Sequence, residues 1–75
     1  MINKELQKEF YEAKRSKMLP FIINDRVEVQ NGPHKGKIAY VISISSIEPE
    51  LSYLIEFEDG SGDFEISTNL IRLDT

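Results

Sequence analysis

One histidine, two lysines and a run of carboxylates are the residues whose types could do chemistry here. His34, Lys35 and Lys37 sit together in Gly32-Pro33-His34-Lys35-Gly36-Lys37. Glycines let a backbone approach a ligand closely and lysines neutralise phosphate, so this segment reads either as a phosphate-contacting loop or as a solvated turn. His34 would need a nucleophile to serve as a base. No Ser or Asp stands at a known catalytic spacing from it and the chain has no cysteine, so no catalytic residue is assigned. His34 is left as a ligand contact or as an exposed loop residue.

The carboxylates form the second group. Asp59, Ser61 and Asp63 begin like a calcium loop, but Phe64 stands where glycine is needed and Leu70 where a bidentate Glu is needed. No metal site and no cofactor follow from this pattern. Glu56, Glu58, Asp59, Asp63 and Glu65 are expected to crowd the outer face of two adjacent strands. Like charges directly opposite one another are destabilising. Such crowding fits a surface used by a cationic partner, or simply a solvated face.

The charge distribution supports the first option. Residues 1–18 carry five Lys/Arg and three Glu, whereas residues 19–75 carry four Lys/Arg and ten Asp/Glu. Between Lys37 and Arg72 there are seven carboxylates and no basic residue. That field steers cations in and polyanions away. A protein partner is therefore expected ahead of a nucleic acid. Oligomeric state is not legible.

These residues must be positioned by a small scaffold. At 75 residues the chain holds one domain, and a single core of this size is only marginally stable. The absence of cysteine excludes disulfides and fits a reducing cytosol. No apolar run is long enough to span a membrane, and the charged N-terminus is unlike a secretory signal.

Residues 3–18 predict a helix. Ile2, Leu6, Phe10 and Ala13 make one apolar stripe, Glu5 sits in the first turn, and Lys14, Arg15 and Lys17 sit in the last. Lys8 and Glu12 are an i,i+4 pair, and Pro20 is expected to enforce the end near Met18. A helix this short is marginal alone, so the stripe is expected to dock on the rest of the chain.

From Phe21 the apolar period becomes two. Val27 and Val29 mark a first strand, and Ile38 to Ser45 a second whose apolar residues fall on both faces, as in a bent strand. Tyr53, Ile55 and Phe57 alternate in a third, Asp59-Gly60-Ser61-Gly62 makes a hairpin turn, and Phe64 and Ile66 mark a fourth. Residues 67–70 suit one helical turn before a fifth strand, Ile71-Arg72-Leu73. Val27, Val29, Tyr53, Ile55, Phe57 and Ile71 are the expected core. Tyr11, Tyr40, Leu54 and Phe64 do not all fit inside, and one or two of them could anchor an interface.

Val27-Glu28-Val29, the Gly32–Lys37 segment and Val41 resemble the KOW motif of ribosomal proteins and bacterial transcription-elongation factors. The strand order through Tyr53–Phe57, the glycine hairpin, Phe64–Ile66 and Ile71–Leu73 is similar to KOW and Tudor-like barrels over about two-thirds of the chain. The resemblance implies a mainly β fold, a five-stranded SH3-like barrel over residues 20–75 preceded by an amphipathic α-helix over 1–19. It also implies a loop, His34, Lys35 and Lys37, that touches RNA or protein. Ala39 departs from the pattern, because the motif usually has glycine there to let the backbone bend. A looser likeness, in size, acidity and strand pattern, is to immunity proteins of bacterial toxin systems, which neutralise a cognate toxin by direct binding. The expectation is a non-enzymatic protein-binding module, with a KOW-type module associated with RNA, the ribosome or transcription as the alternative.

Overall fold

The computed structural model describes residues 4–73. In chain order it has α1 (Lys4–Tyr11), β1 (Arg26–Val29), β2 (Ile38–Ser46), β3 (Ser52–Phe57), β4 (Gly62–Ile66), a 3-10 turn (Ser67–Asn69) and β5 (Leu70–Arg72). The strands form one antiparallel sheet in the order β4-β3-β2-β1-β5. Among the described residues no ladder joins β4 to β5, so both are edges of the sheet. No helix among the described residues is long and apolar enough to cross a membrane.

The core lies on the inner face of this sheet. Val27, Val29, Tyr53 and Ile55 are fully buried and Phe57 nearly so, as alternation in β1 and β3 predicts. Leu6 and Phe10 of α1 are buried, and Phe10 joins this core with its ring stacked on Tyr53 at 6.1 Å. The helix stripe therefore docks. Ile2, its first expected member, lies outside the described residues, and Ala13 is exposed.

The helix is shorter than its charge pattern predicts. Ala13 takes a left-handed φ of 61°. Lys14 N–H then donates to Glu9 C=O at 2.8 Å and Ala13 N–H to Phe10 C=O at 3.2 Å. This is a Schellman ending, which satisfies the last carbonyls and stops the helix long before Pro20. Lys14, Arg15 and Lys17 consequently lie beyond the helix. Glu12 pairs with Lys14 at 3.4 Å rather than making the expected contact with Lys8. Arg15 forks onto Asp25 at 2.6 and 3.2 Å, and Asp25 also accepts Ile22 N–H at 2.9 Å. That clamp holds residues 19–23 over the sheet, where Leu19, Phe21 and Ile22 are buried.

The ambiguous faces of β2 have a physical cause. Its register against β3 shifts between Val41 and Ser43 and again between Ile44 and Ser46. Each irregularity bends the strand and restarts the alternation. Ala39 lies upstream of both, fully buried and opposite Val27 and Phe57. The bend that glycine would permit at Ala39 is thus made further along.

Strand β5 overturns one expected core residue. Leu70 faces Val29 and is buried, whereas Ile71 faces Glu28 and is 50% exposed. The 3-10 turn ends at Asn69, one residue short of the turn expected over 67–70, and a one-residue shift exchanges the faces of a strand. Of the four large side chains left unplaced, Tyr11, Tyr40 and Phe64 are exposed and Leu54 is half-buried.

Candidate functional site

The β1–β2 loop and the β3–β4 hairpin meet over one aromatic ring. Gly36 has φ 84°, a conformation glycine adopts without strain, and its N–H donates to Val29 C=O at 2.7 Å. This closes the loop and turns His34 and Lys37 toward Phe57. The His34 ring centre lies 4.7 Å from that of Phe57, and Lys37 Nζ lies 5.4 Å from the same ring centre, within cation–π range. Lys37, Ile38, Phe57, Glu58 and Asp59 line a shallow depression of about 270 Å³. Lys35 is exposed and does not line this depression.

The hairpin supplies the carboxylates. His34 Nε2 lies 2.8 Å from Asp63 Oδ2. His34 Nδ1 is buried with no hydrogen-bond partner among the described residues. In the neutral ring the proton therefore belongs on Nε2, where it is donated to Asp63, because an orphaned buried N–H costs more than an orphaned lone pair. Asp63 Oδ1 accepts Phe64 N–H at 2.7 Å. That backbone bond, and then His34, hold its carboxyl below the usual aspartate range. Asp59 Oδ1 accepts both the N–H and the hydroxyl of Ser61, at 2.9 and 2.6 Å. Those bonds lower its pKa, with a smaller contribution from Lys37. A histidine held by a carboxylate is oriented, but proton transfer to a nucleophile needs a second group at the ring, and Nδ1 has none.

The five acidic residues do not form one face. Glu56 and Glu58 are exposed on the outer side, and Asp59 is exposed at the hairpin tip. Asp63 faces Ile55 and Glu65 faces Tyr53, so both lie on the inner side of β4. The cause is the length of the turn. Phe57 N–H donates to Ser61 C=O at 2.8 Å and Gly60 N–H to Phe57 C=O at 3.0 Å, so the loop is the three residues 58–60, with Gly60 at φ 90°. A two-residue turn at Gly60-Ser61 would have put Glu56 opposite Glu65. The three-residue turn reverses the parity of β4 and moves Phe64 and Ile66 to the outer side instead.

Asp63 and Glu65 serve as ties. Asn69 Nδ2 donates to Glu65 Oε2 at 2.6 Å and to Asn31 C=O at 3.0 Å. With His34–Asp63, these bonds fasten the β1–β2 loop to β4. Neither Asn69 nor the platform role of Phe57 was visible in the sequence, since their partners lie far along the chain. Among the described residues no three His, Cys, Asp or Glu side chains gather as a metal site would require. Comparison with known protein families, with curated proteins and with solved structures finds no match.

Proposed function

We propose that this chain is a non-enzymatic protein-binding module that meets a cationic partner through the exposed carboxylates of the hairpin: Glu56, Glu58 and Asp59. One observation carries the reading. Two residues of the basic loop already meet the chain's own groups, with His34 on Asp63 and Lys37 over Phe57 beside Asp59. Glu56 and Glu58 remain exposed. The net field around them favours a positively charged protein over a polyanion. The bent β2, the strand order and the single 3-10 turn before β5 support an SH3-like barrel as the scaffold. A reducing cytosol suits a chain without cysteine.

The most specific form of this reading is an immunity protein that neutralises a basic toxin by covering it. The competing KOW-type reading draws on His34, Lys35 and Lys37, of which both lysines are exposed on either side of Gly36. Two exposed lysines are a small footprint for RNA. Affinity capture from native lysate, with and without nuclease, separates the two. A partner retained after nuclease and released by salt is expected. Recovery of nucleic acid alone would replace this reading with the RNA one.

A further inference from the structure

The free edge of β4 has the features of a strand-accepting surface. Phe57/Ser61 is a hydrogen-bonded pair, and Ser67 N–H donates to Leu51 C=O at 2.8 Å. Antiparallel pairs alternate, so residues 63 and 65 bond toward β3, while Gly62, Phe64 and Ile66 direct their N–H and C=O groups to the open side. The outward side chains of β4 are apolar: Phe64 is 62% exposed and Ile66 39%. A trough of about 520 Å³ runs beside this edge, lined by Gly32, Pro33, Phe64, Glu65, Ile66 and Thr68 among others. A Cβ placed on Gly32 would meet nothing within 4 Å, so the trough is open on that side.

We propose that β4 takes an extended segment of the partner as an added strand, with apolar residues opposite Gly62, Phe64 and Ile66 and basic residues opposite Asp63 and Glu65. The proposal rests on the cationic-protein reading above and names what such a partner must present. Main-chain bonds supply attraction in this mode and alternate side chains supply specificity. Charge selects the occupant. A second copy paired antiparallel about Phe64 would set Asp63 against Glu65 twice, which like-charge repulsion opposes. In the free chain Asp63 also covers Phe64 N–H at 2.7 Å, and inward carboxylates on an edge strand discourage self-pairing. A lysine or arginine opposite Asp63 gives that carboxylate another partner and uncovers the N–H.

The test uses the full chain and a blocked peptide, acetyl-Val-Lys-Val-Lys-Val-amide, followed by backbone NMR and amide exchange. Its twin carries N-methyl groups on the edge that faces β4, with identical charge. We expect the Ile66 amide to exchange at least about tenfold more slowly with the first peptide, and the twin to bind about tenfold more weakly or not at all. Ile66→Pro removes one outward N–H at a residue with φ −72°, which proline adopts, and leaves the β3–β4 bonds in place. It should weaken the first peptide by a similar factor. Should Ile66→Pro fail to fold, the N-methyl comparison decides alone. Equal binding of both peptides overturns strand addition while leaving a cationic partner in place. Binding of neither at millimolar concentration, or Ile66 protection by self-association without peptide, also overturns it, and lysate capture then judges the broader reading separately.

Discussion

His34 on the β1–β2 loop and Asp63 on β4 lie 29 residues apart in sequence and 2.8 Å apart in space. The contact joins the two surfaces that competed as binding sites, so the basic loop and the acidic hairpin act as one electrostatic unit. Because Phe64 N–H and His34 hold the Asp63 carboxyl low, the stability it contributes is present above the ordinary aspartate range. It is lost as pH falls through the lowered value. In Asp63→Asn the His34–Gly36 amides should exchange faster at neutral pH, and acid unfolding should lose that component. Unchanged exchange would mean that the loop is held by its own turns and by Asn69.

Tyr53 makes a second prediction. Its hydroxyl donates to Phe21 C=O at 2.9 Å and accepts Phe21 N–H at 3.2 Å, and burial pushes its pKa up to about 12. The raised value in the folded state means that this stabilisation is whole below pH about 10 and fades as pH climbs to about 12. Tyr53→Phe should lower stability by about 1–3 kcal/mol, since both Phe21 groups lose a buried partner. It should also remove the tyrosine component from alkaline unfolding. Denaturant melts between pH 7 and pH 12 measure both effects, and a variant with wild-type stability would contradict the buried bonding.

The helix ending gives a third. Ala13 holds a left-handed φ of 61° in which its Cβ is strained, whereas glycine has no such cost. Ala13→Gly should raise stability by about 0.5–1 kcal/mol after allowing for the freer unfolded chain. The shift should appear in the denaturation midpoint with an unchanged slope. A destabilised variant would show that residue 13 leaves the left-handed region in solution.

Much of this architecture is legible in the residues. Tyr53, Ile55 and Phe57 declare their face because strict alternation carries both period and phase. Leu6 and Phe10 declare theirs because four residues is close to one helical turn. Phase is lost wherever a connection has ambiguous length. Gly60 and Gly62 make the hairpin obvious, yet whether two or three residues turn decides the side on which Asp63 and Phe64 emerge. The same one-residue slip exchanged Ile71 for Leu70. The helix end was hidden because alanine rarely serves as a left-handed cap. The loop–hairpin junction was hidden for another reason: His34, Phe57, Asp63 and Asn69 come together only through sheet register, which no local spacing encodes.

The last prediction separates the two kinds of partner. Glu56 and Glu58 are exposed and take part in none of the described ties, so Glu56→Gln with Glu58→Gln should leave the fold unchanged. Glu65 is kept, because it receives Asn69 and its loss would disturb the loop. Toward a cationic protein recovered from lysate, the double variant should associate more slowly, and the salt dependence of association should flatten. Dissociation should change less, since rim charges act mainly on encounter. Toward RNA the sign reverses: removing two negative charges strengthens binding, and Lys35→Ala with Lys37→Ala weakens it. Lys37→Ala also uncovers Phe57 and is checked by its melting temperature. Stopped-flow association at two salt concentrations reads all of this. If the lysine variant slows association and the glutamate variant does not, the basic loop is the docking element and the acidic surface is only solvated.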